Sequence, residues 1–290
     1  MANARGQEID KTHLSIDLAE QRGFIHRDYI AHCLRWTHVV KFLMQKGRYK
    51  QARILDIGCG KEVPLAKTLY SSRMCVDKYA GIDVNRLDIP PMLAGKKFPL
   101  ELFSGDVCDL APGDIGFDPN IITCFEVLEH VEPSHSIRML AKMQELLDTN
   151  TEWATIFIST PAWDPGVGAA ANHVNEVKYE VLGSVLERMG FEIEGHWGTF
   201  ASQKDYASEI GKYGPGAEKM FNELKEYYDS NYLATLLAPL FPSRSRNVLW
   251  QLKYRPNKKR VYPRLFTELS DYGCEPWSSS EKWRDWGKHV

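Results

Sequence analysis

Short apolar runs alternate with segments of helical periodicity along most of the chain. A strand buried on both faces of a sheet is apolar throughout, whereas a surface helix repeats its apolar positions every three or four residues. The runs that predict strands are ARILDIG (52–58), KYAGIDVN (78–85), part of LELFSGDVCDL (100–110), NIITCFEVL (120–128), EWATIFISTP (152–161), FEIEGHWGTF (191–200) and RNVLWQLKY (246–254). The segments that predict helices are 28–46, 63–70, 134–147, a stretch capped by Asn175 and closed by Gly190, and 205–240.

This alternation predicts an α/β fold: a doubly wound, mostly parallel sheet with helices on both faces. Residues 1–50 are expected to form an N-terminal helical cap. Residues 51–254 carry the sheet, with a helical insertion at about 205–243 before the last strand. Residues 255–290 form a C-terminal extension that has no clear periodicity.

Composition and charge narrow the class of protein. Of 290 residues, 43% are hydrophobic and 26% charged, and the formal net charge of −2 gives no overall attraction to nucleic acid or anionic membranes. The six cysteines include no C-x-x-C pair, which favours buried reduced thiols over disulfides or a zinc site. No secretory h-region is visible, and no apolar run reaches the roughly 20 residues that span a bilayer. We therefore expect a cytoplasmic protein without a membrane partner.

The turn after the first predicted strand contains Gly58 and Gly60, which allow a ligand to approach the backbone closely. A dinucleotide loop reads G-x-G-x-x-G, but Val63 stands at the position of the third glycine. A P-loop is also excluded, because no G-K-[ST] follows. Both departures argue against a dinucleotide and a nucleoside triphosphate as the ligand.

What remains resembles motif I of the class I S-adenosylmethionine-dependent methyltransferases, in which a hydrophobic strand ends in D-x-G-x-G. Further segments resemble the same family in order, namely GIDVN, GDVCDL, FEVLEHV, STP and NHVNEVKYEVLGSVLERMGFEIEG. The resemblance covers roughly 53–198 and is nearest to the branch of the ubiquinone-biosynthesis O-methyltransferases. It implies a seven-stranded, Rossmann-like methyltransferase sheet.

The resemblance also implies S-adenosyl-L-methionine as the cofactor. Asp83 would accept hydrogen bonds from both ribose hydroxyls, Asp106 would face the adenine amino group, and Val107 would pack on the adenine ring. The expected cofactor-binding residues are Asp56, Gly58, Cys59, Gly60, Asp83, Asp106, Val107 and Phe125.

The candidates for chemistry lie just past the fourth predicted strand. Methyl transfer from a sulfonium requires close alignment, and a base helps when the acceptor must lose a proton. Glu126, Glu129 and His130 are the candidate catalytic residues. With His173 they could hold a divalent cation such as Mg²⁺, as in some ubiquinone-pathway O-methyltransferases and the small-RNA 3′-end 2′-O-methyltransferases. The alternative is that Glu129 and His130 simply begin the next loop and helix, because EVLEH also occurs in relatives that bind no metal.

The sequence leaves the methyl acceptor open. FEVL is neither [DN]-P-P-[YFW] nor a Pro-Cys pair, which argues against methylation of exocyclic base amines and of cytosine C5. Residues 244–266 contain eight Lys and Arg and no acids, which fits nucleic-acid contacts or an edge strand with a solvated basic face. By resemblance, the helix at 28–46 and the insertion at 205–240 would shape the acceptor pocket.

Three functions follow as hypotheses. The first is S-adenosylmethionine-dependent methyl transfer to an oxygen or nitrogen of a small or nucleotide-like acceptor. The second is metal-assisted methylation of a ribose 2′-hydroxyl or another diol, at RNA ends or on nucleotides. The third is a non-catalytic, cofactor-binding subunit that serves a partner. The presence of the motif residues Asp56, Gly58, Gly60, Asp83 and Asp106 counts against the third.

Overall fold

One seven-stranded sheet forms the centre of the computed structural model, which describes residues 27–257 except 165, 167, 203–205, 207 and 208. The strands are β1 (Arg53–Ile57), β2 (Lys78–Asp83), β3 (Leu100–Ser104), β4 (Ile121–Phe125), β5 (Thr155–Pro161), β6 (Phe191–Phe200) and β7 (Asn247–Tyr254). Their order in the sheet is β3-β2-β1-β4-β5-β7-β6. Neighbouring strands are parallel except at β7, which runs antiparallel to both β5 and β6. The predicted mostly parallel, seven-stranded sheet is confirmed.

Helices cover both faces of this sheet, as the doubly wound prediction requires. They are α1 (Arg27–Met44), α2 (Pro64–Ser71), α3 (Pro133–Leu146) and α4 (Tyr179–Arg188). α1 and α2 share one hydrophobic core with the sheet, and α3 and α4 share the core on the opposite face. Successive residues of β1 contribute to different cores, Ile54 to the first and Leu55 to the second. Because the central strands bury both faces, their sequences are apolar without alternation.

The insertion between β6 and β7 contains the helices α5 (Pro215–Leu224) and α6 (Ser230–Leu237). They enclose a small core of their own, to which Phe221 and Leu233 contribute. The predicted helical stretch is not continuous: α5 ends at Leu224, and Asp229 caps α6 by accepting hydrogen bonds from the backbone amides of residues 231 and 232. The helical insertion expected before the last strand is therefore present.

The interpretation of the basic segment as an edge strand is wrong. β7 lies between β5 and β6, so its backbone is paired on both sides. Its Lys253 lies 3.8 Å from Glu194 of β6, and Arg255 just after it lies 3.0 Å from Glu192. Lys253 in this strand and Arg255 just after it therefore both pair with carboxylates of β6.

The prediction that Asn175 caps a helix is also wrong. α4 begins at Tyr179. Asn175 is buried, and its side-chain amide donates to the Leu128 carbonyl (3.1 Å) and to Ser136 Oγ (2.8 Å). A tertiary contact to the segment after β4 thus replaces the local cap.

Residues 1–26 of the expected N-terminal cap and residues 258–290 of the expected C-terminal extension lie outside the described part of the chain. Within residues 27–257 and their stated gaps, no helix has both the length and the apolar character needed to cross a bilayer.

Candidate active site

The carboxyl ends of β1, β2, β4 and β5 meet along one edge of the sheet, where open α/β sheets bind their ligands. The turn after β1 depends on its glycines. Gly58 has φ +65°, and a Cβ added there would lie 2.2 Å from Cγ2 of Val127. Gly60 has φ +64°, and an added Cβ would meet no described atom within 4 Å. Gly58 therefore lets the chain after β4 pack against the turn, and Gly60 leaves backbone facing open space.

Asp83, at the end of β2, lies directly beside this turn. Its Oδ2 accepts a hydrogen bond from Gly60 N (3.1 Å), and its Oδ1 accepts from both the backbone and the side-chain nitrogen of Asn85 (2.9 Å each). The carboxylate is half-buried. It is thus held at the open side of the turn, where it can accept further bonds from a ligand.

Asp56 and Cys59 lie beneath the turn. Asp56 is 4% exposed and accepts hydrogen bonds from Thr123 Oγ1 (2.6 Å) and Tyr79 OH (2.5 Å). Burial raises the pKa of Asp56 to about 6. The thiol of Cys59 is buried against Gly81 of β2. The side chains of Asp56 and Cys59 both point into the protein beneath the turn. A ligand on the open side of the turn would therefore contact the backbone of these two residues.

The segment after β3 begins with Asp106, which caps a short helical turn at Val107–Asp109. Its Oδ1 accepts from Cys108 N (2.8 Å), and its Oδ2 lies 2.9 Å from His135 Nε2. Val107 is almost completely buried. His135 comes from the first turn of α3 and was not expected at this site.

Glu126 follows Phe125 at the end of β4 in a backbone conformation that is uncommon for a residue with a side chain (φ +58°). Its Oε1 accepts from Ser159 Oγ (2.8 Å) and forms an ion pair with Arg35, and its Oε2 accepts from Asn247 Nδ2 (2.6 Å). Three elements, α1, β5 and β7, therefore hold this carboxylate. Both of its oxygens are occupied within the protein.

Arg35 was missed in the sequence, although a signal was present. The side chain is 1% exposed and lies on the apolar stripe of α1, one turn before the buried Val39. A charged residue at such a position requires a buried partner, because an unpaired charge inside a protein is costly. Its partner, Glu126, is far away in sequence.

Glu129, His130 and His173 form a cluster whose ligand atoms lie within 4.8 Å of one another. Glu129 is 1% exposed; its Oε2 accepts from Thr160 Oγ1 (3.2 Å), and its Oε1 has no hydrogen-bond partner among the described residues. Burial, together with the Glu126 carboxylate, raises the pKa of Glu129. The structure thus brings together three of the four predicted metal ligands and leaves Glu126 in its ion pair with Arg35.

The two imidazoles of the cluster are oriented by their Nδ1 atoms. His130 Nδ1 donates to the Asn172 carbonyl (3.2 Å), and His173 Nδ1 donates to Glu176 Oε1 (2.5 Å). In both rings Nε2 is left to face the cluster, and burial lowers the pKa of His130, which favours its neutral form with a lone pair on Nε2. Two imidazoles oriented in this way, beside a buried carboxylate oxygen that accepts no hydrogen bond from a described residue, fit a divalent cation. Two nitrogens and one oxygen suit a transition metal better than Mg²⁺, which prefers oxygen ligands.

The sequence matches the family described as "Methyltransferase domain" over residues 26–214, which is more than half of the chain. The chain belongs to this family. It is an S-adenosylmethionine-dependent methyltransferase. No curated protein sequence matches it significantly.

Solved structures with a similar arrangement of elements include three that cover most of this methyltransferase. The magnesium protoporphyrin IX methyltransferase of Synechocystis PCC 6803 with bound SAH is 12% identical, with a TM-score of 0.49 over 88% of this chain and 94% of that chain. The methyltransferase domain of bacterial CtHen1 is 16% identical, with a TM-score of 0.43 over 76% and 97%. The [4+2]-cyclase SpnF is 15% identical, with a TM-score of 0.47 over 76% and 81%.

The basic segment of the methyltransferase is described only as far as residue 257. Arg244 lies 3.3 Å from Glu209, and Arg246 donates to Ser202 Oγ (3.4 Å). With the two carboxylate pairs of Lys253 and Arg255, all four basic residues described between 244 and 257 have partners inside the protein. The other four basic residues of the predicted segment, within 258–266, lie outside the described residues.

Proposed function

We propose that this methyltransferase transfers the methyl group of S-adenosylmethionine to an oxygen or nitrogen of a small or nucleotide-like acceptor bound beside Glu129, His130 and His173. The observation that carries the proposal is the position of this cluster. The segment that bears Glu129 and His130 packs on the glycine turn through Val127, whose Cγ2 would lie 2.2 Å from a Cβ added at Gly58. An acceptor held by the cluster is therefore close to a donor held by the turn, as in-line transfer requires.

For the donor we propose contacts from Gly58, Gly60 and Asp83, with Asp106, Val107 and Phe125 around the adenine. The support for Asp83 is its half-buried carboxylate beside Gly60 N, placed to accept from ribose hydroxyls. Asp56 and Cys59 act in this proposal by shaping the turn from below. The motif FEVLEHV keeps the ubiquinone-biosynthesis O-methyltransferases as the nearest proposed branch.

For the proton we propose His130 as the base, with Glu129 and His173 beside it. Its Nε2 lone pair is available because Nδ1 donates to the Asn172 carbonyl, and its lowered pKa keeps it unprotonated at neutral pH. Glu126 is a weaker candidate, because Arg35, Ser159 and Asn247 occupy both of its oxygens. We propose that Glu126 instead fixes the wall of the acceptor site.

A second candidate function is metal-assisted methylation of a ribose 2′-hydroxyl or another diol, on an RNA end or a nucleotide. The specific observation in its favour is Glu129 Oε1, a buried oxygen that accepts no hydrogen bond from a described residue and clusters with the imidazoles of His130 and His173. Glu129, His130 and His173 would hold the cation, which would lower the pKa of the acceptor hydroxyl. A methylation assay with and without EDTA separates the two functions, since an unchanged rate removes the metal.

Binding of the donor is the first test. We expect Asp83→Ala to weaken the affinity for S-adenosylmethionine roughly tenfold or more, because hydrogen bonds to a charged group are worth about 1.5–3 kcal/mol. Calorimetry measures this, and Asp77→Ala is the matched control, an exposed acid just before the other end of β2. Wild-type affinity in Asp83→Ala would refute the ribose role.

Turnover is the second test, and it also addresses the non-catalytic alternative. Mass spectrometry of host metabolite and nucleoside pools, with and without the protein, should reveal a species heavier by one methylene group. Donor binding without any such product, in every pool examined, would support a cofactor-binding subunit instead of an enzyme.

A further inference from the structure

A second group of potential metal ligands lies after β3, away from the Glu129 cluster. Asp106, Cys108 and His135 each offer one ligand atom, and the three atoms lie within 4.8 Å of one another. His135 Nε2 is 2.9 Å from Asp106 Oδ2 and 3.8 Å from Cys108 Sγ. Oxygen, sulfur and nitrogen are the donor atoms that zinc takes in proteins.

The spacing of these atoms is close to that around a tetrahedral zinc ion. Bonds of about 2.3 Å to sulfur and about 2.1 Å to nitrogen and oxygen place the ligand atoms about 3.4–3.6 Å apart. The two measured distances, 2.9 Å and 3.8 Å, differ from this by about 0.5 Å or less. We propose that Asp106, Cys108 and His135 form a zinc site whose occupation weakens binding of the methyl donor.

An ion can reach this site from solvent. All three ligand residues are partly exposed. A surface cleft of about 580 Å³ opens beside them, and its lining includes Cys108, Arg138 and Lys142. The open side leaves room for a water molecule as the fourth ligand of a tetrahedral ion.

Arg138 limits the affinity of the site. Its guanidinium donates to His135 Nδ1 (2.6 Å), so in the metal-free protein the ring proton lies on Nε2 and points at Asp106. When zinc binds Nε2, the ring proton moves to Nδ1 and the guanidinium turns to solvent. Burial and Asp106 raise the pKa of Cys108 to about 11, so its thiol gives a proton to the buffer on binding. Arg138→Gln offers Nδ1–H an amide oxygen and should strengthen the site.

Asp106 connects the zinc site to the donor, and this step rests on the proposed function. In the proposed function, the carboxylate of Asp106 faces the amino group of the donor's adenine. A zinc ion bound to Asp106 Oδ2 uses the carboxylate lone pairs that would accept the hydrogen bond from the adenine amino group. The ion also places a positive charge where this amino group must approach. Zinc and the donor should therefore exclude each other.

Cobalt(II), a spectroscopic substitute for zinc, tests the site in the full chain. We expect a near-ultraviolet thiolate-to-cobalt charge-transfer band in the wild type and none in Cys108→Ser. His173→Ala is the matched control, because it disrupts the other cluster, and it should keep the band. Arg138→Gln should bind cobalt roughly tenfold more tightly, the size of effect that groups hydrogen-bonded to a metal ligand commonly have. Absence of a Cys108-dependent band overturns the site.

Calorimetry with S-adenosylmethionine tests the exclusion. Zinc should weaken donor binding at least tenfold in the wild type and leave it unchanged in Cys108→Ser. Equal donor affinity of the wild type with and without zinc overturns the proposed exclusion. If the zinc-free protein binds no donor, the proposed function fails instead, while the cobalt spectra still decide whether the metal site exists.

Discussion

Asp56→Asn should change how the stability of the protein depends on pH. The Asp56 carboxyl is buried beneath the glycine turn, and its only described side-chain partners are the hydroxyls of Thr123 and Tyr79. Burial disfavours its charged form more than the two hydrogen bonds favour it, so its pKa rises from 3.8 to about 6. Asparagine has nearly the same shape and does not titrate, so the variant removes the effect of this one group.

The sign and size follow from this shift. Between pH 3.8 and about 6 the folded protein binds more protons at Asp56 than the unfolded chain does. The stability that this group contributes is therefore complete below about pH 4 and is lost as the pH rises through about 6. Over the whole pH range, Asp56 changes the free energy of unfolding by about 3 kcal/mol. About 2 kcal/mol of this change occurs between about pH 4.5 and 7.5. The variant should gain that amount relative to the wild type over this range.

Urea denaturation at several pH values measures the difference between variant and wild type, in which all other titrating groups cancel. Asp77→Asn, at an exposed acid, should show no such trend and serves as the control. A pH-independent difference between Asp56→Asn and the wild type would refute the reasoning. It would mean that the hydroxyls of Thr123 and Tyr79 compensate fully for burial of the charge.

Two further predictions concern the same edge of the sheet. Gly58→Ala should abolish donor binding or folding, because its Cβ would lie 2.2 Å from Cγ2 of Val127. In Gly60→Ala the added Cβ meets open space, so this variant should lower the free energy of unfolding by only about 1 kcal/mol. Calorimetry compares the donor affinity of the two variants and circular dichroism compares their folding. Equal losses of donor affinity and of folded structure would contradict the steric argument. Arg35→Met should lower the free energy of unfolding by about 3 kcal/mol, since it leaves Glu126 without its ion pair, and the added change Glu126→Gln should restore part of that loss. If the losses of unfolding free energy from Arg35→Met and Glu126→Gln simply added in the double variant, measured by urea denaturation, the coupling of the two residues would be contradicted.

The fold could be predicted because its signals are local. Each central strand buries side chains on both faces, so its sequence is apolar throughout, and each helix repeats its apolar positions. The turn after β1 was also predictable, because Gly58 and Gly60 adopt positive φ angles that favour glycine. The position of the last strand was not, because insertion of β7 between β5 and β6 depends on contacts distant in sequence.

The errors at the site have the same origin. Asn175 is a good cap residue by local preference, but two buried acceptors, the Leu128 carbonyl and Ser136 Oγ, bind its amide instead. Cys108 and His135 come from different elements, so no spacing in the sequence indicates that Cys108 Sγ lies 3.8 Å from His135 Nε2. Local patterns thus locate the edge of the sheet that binds ligands, but the partners of each side chain depend on the tertiary fold.

Glu126 and Glu129 show how the fold separates two residues of one motif. They are three positions apart, and the sequence treats them as equivalent carboxylates. Glu126 forms an ion pair with Arg35 and accepts hydrogen bonds at both oxygens, whereas Glu129 is buried, its pKa is raised, and its Oε1 accepts no hydrogen bond from a described residue. A buried carboxyl in that state is stabilised by a proton or a cation, and the Nε2 atoms of His130 and His173 are positioned to share either with it. In the proposed function, the chemistry at this edge is therefore assigned to Glu129 and the two imidazoles, and Glu126 is assigned to the wall of the acceptor site.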